Sequence, residues 1–266
     1  MSKYIFAALL AGSSMIAEQL QIDHVTVAGR DLHAMQKALE AAGLPTEYGG
    51  AHSNHATEMA LTSFPDGTYL ELIAIQPEAD PAAVSAHTWS KFLEGNAGPC
   101  AWATRVDHID AKDKPLKNGR KRPDGVELEW ETAQVGPGNG TFFPFLIHDL
   151  TPRDHRAYPS GKPTTTNFTG ITKVYIAVKN LETAIAAYRR AYKLPPPERT
   201  DQLSFGAKLA SFEGTPVVLA APLGGDSWLV ERLQRFGEAP CAFVLGRAKP
   251  AEKITWLNPG WRLGIQ

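Results

Sequence analysis

The sequence predicts an α+β fold built from repeated βαββ modules, with a first domain over 21–158 and a second, degenerate half over 168–266. Three observations carry this. A strand, a helix and a hairpin follow one another over 22–75. The same order returns over 171–221. The stretch Val27-Ala28-Gly29-Arg30-Asp31-Leu32 is echoed by Ile176-Ala177-Val178-Lys179-Asn180-Leu181, and the hairpin tip Gly67-Thr68 by Gly214-Thr215.

Each element has a local reason. Ile22 to Ala28 is rich in β-branched residues and alternates. Asp31 is a helix N-cap, Leu32, Met35, Leu39 and Ala42 follow at helical spacing, and Gly43 supplies the stop. Thr57 to Ser63 and Thr68 to Ile75 form a hairpin around Pro65-Asp66-Gly67. In the second copy Ile171 to Val178 is the strand. Asn180 caps a helix carrying Leu181, Ile185, Tyr188 and Tyr192, and Phe205 to Phe212 and Pro216 to Ala221 form the hairpin. A weaker copy between them has strands at 99–106, 126–134 and 141–148, with an irregular crossover at 107–119. A truncated fourth unit has strands at 241–245, 254–256 and 261–265. The Pro/Gly/Thr-rich stretch 158–170 is the linker.

The paired modules resemble the vicinal oxygen chelate superfamily and, within it, the glyoxalase-like domain family. The residues that carry the resemblance are Ile22-Asp23-His24-Val25-Thr26-Val27, Gly49-Gly50-Ala51-His52, Asp66 to Ile73, and Pro144 to His148 followed by His155 and Pro159. It implies half-barrels of the glyoxalase/dihydroxybiphenyl-dioxygenase type and a metal in the cleft of a paired module. Relatives include isomerases, lyases, ring-cleaving dioxygenases, thiol transferases and metal-free binding proteins, so the fold alone does not set the chemistry.

Strand alternation selects the site candidates. Val25 and Val27 share one face of the first strand and His24 and Thr26 the other; Glu71 lies opposite Leu70 and Leu72. The same reading puts Cys100, Trp102 and His148 on the cleft face of the weaker copy. His24, Glu71 and His148 are the expected ligands of a divalent metal (Fe, Zn, Mn or Ni), which would act as a Lewis acid or bind dioxygen. A one-residue slip would turn His148 away, and His24, Glu71 and His148 also read as hydrogen-bonded cleft residues without a metal. Cys100 stands where metal-using relatives carry His or Glu. Lys173 and Val218 occupy the His24 and Glu71 positions of the second half, so no ligand set is expected there.

His52 is the candidate acid/base in the loop before the second strand of the first module, Thr57 to Ser63, with a plain polar loop as the alternative. His55 reads as solvent-facing. Arg153 lies in a segment that could bind an anion or form a surface turn. The basic run from Lys117 to Arg122 reads as a solvated loop.

Composition limits partners. A net charge of −1 gives no basic face for nucleic acid, and no stretch is long enough to span a bilayer. Two cysteines are too few for a disulfide scaffold. Lys3, the apolar run Tyr4 to Leu10 and Ala11-Gly12-Ser13 resemble a short signal peptide within 1–20, which favours export slightly over the cytoplasm; Met15 is an alternative start. The expected function is a metal-dependent enzyme acting on a small oxygen-chelating molecule by isomerase, lyase or dioxygenase chemistry. The alternative is a metal-free small-ligand binder. The expected partners are that small molecule and a second copy of the chain.

Overall fold

Two curved β-sheets form the molecule, described by a computed structural model over residues 20–136 and 140–266. The expected signal segment lies outside the described residues except for Leu20.

The first sheet begins with β1 (Ile22–Ala28), helix α1 (Leu32–Ala41), β2 (Glu47–Ala51), β3 (Thr57–Ser63) and β4 (Tyr69–Ile75). Asp31 accepts a hydrogen bond from the Ala34 amide at 3.0 Å and so caps α1. Asp66 accepts from the Thr68 amide at 2.8 Å, and Gly67 at φ +82° completes the β3–β4 turn. Two short helices, α2 (Pro81–Ala86) and α3 (Ser90–Glu94), lead into β5 (Gly98–Arg105). A 3₁₀ turn at Ala111–Asp113 is followed by β6 (Leu116–Lys121), β7 (Glu127–Gln134), β8 (Phe145–Asp149) and helix α4 (Arg153–Ala157).

The order across the sheet is β2-β3-β4-β1-β5-β8-β7-β6. Within each module the first strand runs parallel to the last, β1 with β4 and β5 with β8; the modules join through the antiparallel β1–β5 pair. The second sheet repeats the plan with β9 (Gly170–Ala177), α5 (Leu181–Tyr192), β10 (Glu198–Gln202), β11 (Ala207–Ser211), β12 (Val217–Pro222), α6 (Trp228–Phe236), β13 (Ala239–Gly246), β14 (Thr255–Leu257) and β15 (Arg262–Ile265), in the order β10-β11-β12-β9-β13-β15-β14.

Three strands, β2, β6 and β10, were not expected. All are polar edge strands without alternation, and an edge strand needs no second apolar neighbour. The run read as a solvated loop at Lys117–Arg122 is therefore corrected. Lys117 pairs across from Glu131 and Lys121 across from Glu127, so opposite charges support β6 against β7.

The two edges of the first sheet meet. The Arg120 guanidinium on β6 donates to the Gly49 carbonyl on β2. A Cβ on Gly49 would lie 2.0 Å from Met59 Sδ on the adjacent strand β3, so a side chain there would force Met59 to move. The eight strands thus curl into a near-barrel around one cleft.

The outer face of this sheet, including Val25, Val27, Leu70 and Leu72, shares one core with Val174, Ile176, Tyr188, Phe212 and Phe243 of the second half. Trp102 belongs to that core, paired across from Val25, and not to the cleft as the sequence suggested. The bulge near Cys100 shifts the β5 register against β1 and reverses the expected faces.

Candidate functional site

The cleft of the first sheet has a volume of about 970 Å³. Cross-strand register builds its floor. His24 lies beside Tyr69 and Ala103, Thr26 beside Glu71 and Ala101, and Phe145 beside Ala103. The first module thus supplies polar groups and the second mainly apolar ones. Trp89 and Trp130 add aromatic walls.

His24, Glu71 and His52 come together. His24 Nε2 stands 3.7 Å from one Glu71 oxygen and His52 Nε2 3.7 Å from the other. His148 does not join them. Phe145 and Ile147 line the cleft, and His148, between Ile147 and Asp149 on β8, points its Nδ1 at the Val106 carbonyl at 3.3 Å. The parallel pairing of Ala103 with Phe145 fixes this register, one residue away from the one assumed for the sequence. Cys100 is fully buried beside Ile73 and Ala101, where burial pushes its thiol pKa up. Among the described residues no three His, Cys, Asp or Glu side chains are placed to hold one metal ion. The expected donor set of His24, Glu71 and His148 for Fe, Zn, Mn or Ni therefore does not fit this cleft.

The protons can be placed from hydrogen bonds. Asp23 Oδ1 lies 2.6 Å from His24 Nδ1, so that nitrogen carries the hydrogen and Nε2 of the neutral ring is a lone-pair acceptor facing the cleft. Two arginines surround Asp23: Arg156 donates to both its oxygens at 2.9 and 3.0 Å, and Arg153 also donates. Burial alone would raise the Asp23 pKa, but Arg156, the His24 hydrogen bond and Arg153 hold it well below the usual carboxylate range. Arg156 also bonds Asp149 and the Tyr69 hydroxyl. Arg153, expected in an anion-binding or surface turn, instead closes this buried network.

On the other side of Glu71, Asn54 donates its amide to Thr57 Oγ at 3.1 Å. With the Thr57 hydroxyl donating to His52 Nδ1, 2.8 Å away, rather than to Asn54 Oδ1 at 3.4 Å, the neutral His52 ring carries its hydrogen on Nε2, aimed at Glu71. Burial lowers the His52 pKa; Glu71 pulls the other way, and Arg120 adds to the lowering. Glu71 thus sits between an acceptor nitrogen and a donor nitrogen, and Thr26 Oγ donates to its Oε2 at 3.0 Å. His24 Nε2 and Glu71 Oε2 are two acceptors facing one gap, which suits a donor hydroxyl or an acidic proton of a bound molecule.

Sequence reasoning missed Arg120, Arg156 and His87, which also line this cleft. His87 lies between the modules, where periodicity is silent; burial lowers its pKa, with His52 adding to the effect. His55 is exposed at φ +56°, as its loop suggested.

The matching face of the second sheet is packed with apolar side chains. Tyr175, Phe205, Val218, Leu229 and Leu233 fill it, with Trp228 and Trp256 packed against them. Comparison with known proteins agrees with the architecture of the first half. The model of the glyoxalase-like domain matches residues 22–192. The chain belongs to the glyoxalase-like domain family, within the vicinal oxygen chelate superfamily. A hypothetical protein from Staphylococcus aureus aligns over 93% of this chain and 99% of its own, with a TM-score of 0.67 at 13% identity, and shares the fold. Methylmalonyl-CoA epimerase from Mycobacterium tuberculosis aligns over 38% of this chain and 89% of its own, with a TM-score of 0.34 and 17% identity. No curated protein matches.

Proposed function

We propose that this glyoxalase-like protein is an enzyme that moves a proton on a small oxygen-bearing molecule held in the cleft, giving isomerisation or epimerisation next to a carbonyl. One observation carries the reading: a buried Asp23–His24 pair presents a free Nε2 to Glu71 at the floor of a large, half-apolar cavity. His24 takes the proton from the carbon beside the carbonyl, and the C–H electron pair passes to the carbonyl oxygen as an enolate. The Asp23 carboxylate holds the ring orientation and stabilises the imidazolium. Glu71 is positioned to share the proton with His24, and His52 Nε2–H steadies the Glu71 carboxylate. Return of the proton to a different carbon or face completes the reaction. The apolar walls exclude water from the enolate.

The test is solvent exchange. Small 2-oxo and 2-hydroxy carbonyl compounds are incubated with the protein in D₂O and followed by proton NMR. The reading expects deuterium incorporation that survives EDTA and falls roughly 100-fold or more in His24→Gln and Glu71→Gln. Compounds that bind without exchange would make this a small-ligand binding protein. Exchange that appears only with added Mn²⁺, Zn²⁺, Ni²⁺ or Fe²⁺ would replace the metal-free mechanism.

A further inference from the structure

Four arginines with little exposed side chain lie in or beside the two sheets, and three have several hydrogen-bond acceptors each. Arg156 is held by Asp23 and Asp149. Arg122 bonds Asp124 and the carbonyls of His155 and Pro159. Arg232 donates to the carbonyls of Ala97, Pro99 and Pro240. Arg120 differs. It is only 8% exposed, lines the cleft, and has a single hydrogen-bond acceptor, the Gly49 carbonyl. Among the described residues no carboxylate forms an ion pair with it.

A guanidinium has five N–H donors, and a buried one without an anion is costly. At the wall of a cleft, a bound molecule can supply the acceptors that those donors lack. We propose that Arg120 is the residue that recognises a carboxylate on the substrate, so that the molecule processed here is a small carboxylic acid with an apolar body. This deepens the proton-transfer reading and rests on it for the word substrate. A single charge is favoured because the Glu71 carboxylate faces the same space. Trp89, Trp130 and Phe145 supply walls for an apolar or aromatic body. A carboxylate held at Arg120 is a fixed point from which the adjoining carbons extend across the cleft toward Glu71 and His24. Burial lowers the Arg120 pKa, while Tyr69 and Glu71 pull the other way.

The probes are phenylacetate, hexanoate and 2-oxo-3-phenylpropanoate, each against its own neutral amide, with binding followed by tryptophan fluorescence and calorimetry. At least one acid should bind the unmodified protein about tenfold or more tightly than its amide, the range of one charge-assisted hydrogen-bonded pair. Arg120→Gln should abolish that preference and Arg120→Lys restore part of it, with amide affinities unchanged. Equal affinity for acids and amides, absence of binding by every acid, or an acid preference that persists in Arg120→Gln would each overturn the proposal. The acid–amide comparison on the unmodified chain needs no variant to fold. If acids bind through Arg120 but none exchanges deuterium, the carboxylate site stands and the proton-transfer reading fails.

Discussion

Asp23 and His24 are neighbours on one strand, yet their side chains meet at 2.6 Å. Regular pleating sends adjacent side chains to opposite faces. The register slip between Ile22 and His24 breaks that rule and turns Asp23 far enough to reach Nδ1. The same carboxylate anchors Arg156 and Arg153, so one buried acid links the His24 imidazole to α4. Asp23→Asn should therefore lose about 3–5 kcal/mol of stability, the usual cost of stranding buried partner charges. Urea denaturation checks this. A loss under about 1 kcal/mol would show that the arginines find other partners.

Acid stability follows from the same residue. The Asp23 pKa is depressed in the folded state, so its stabilisation is fully present above the unfolded value of about 3.9 and is lost as pH falls toward the folded pKa. The protein should hold its stability from neutral pH down to about 4 as far as this group decides it, then lose it steeply. In Asp23→Asn that part of the acid limb should flatten. Thermal melts between pH 3 and 7 compare the two slopes, and parallel slopes would assign acid unfolding to other carboxylates.

His52 offers a direct reading of the cleft field. Its pKa is lowered by burial, raised by Glu71 and lowered by Arg120. Arg120→Gln should move the His52 titration upward in pH, and Glu71→Gln should move it further down. Imidazole ¹⁵N shifts across pH 4–8 measure both. Because the folded pKa lies below the unfolded value of about 6.5, His52 withdraws stability as pH falls through 6.5, and Arg120→Gln should soften that loss. Shifts of the same sign in both variants would contradict the assigned neighbours.

The sequence discloses the modules because buried central strands must be β-rich and helices must be capped, as at Ile22–Ala28 and Asp31. It also discloses His24 and Glu71, which alternate with the buried Val25, Leu70 and Leu72. It hides what depends on pairing partners. β2 and β6 are polar edges, so their residues follow no apolar period, and Arg120 therefore reads as one more solvated cation in a basic run. His148 and Trp102 depend on register: one residue of slip in β8, and a bulge near Cys100 in β5, exchange the two faces. His87 is brought in by a connection between modules, where no periodicity exists to read.

The second sheet makes the converse point about the cleft. Val218 stands where the first half carries Glu71, and an aromatic cluster takes the place of a cavity. The Phe205 ring centroid lies 5.2 Å from Tyr175, 5.4 Å from Trp228 and 4.7 Å from Trp256. Phe205→Ala should therefore cost about 3–5 kcal/mol, the range for deleting a buried aromatic ring. It should leave carboxylate affinity at Arg120 and the His52 titration unchanged, since this cluster shares no residue with the cleft lining. Calorimetric melting reads the first effect and probe binding the second. If affinity fell together with stability, the filled half would be tuning the open one through their shared core, and its role would extend beyond support.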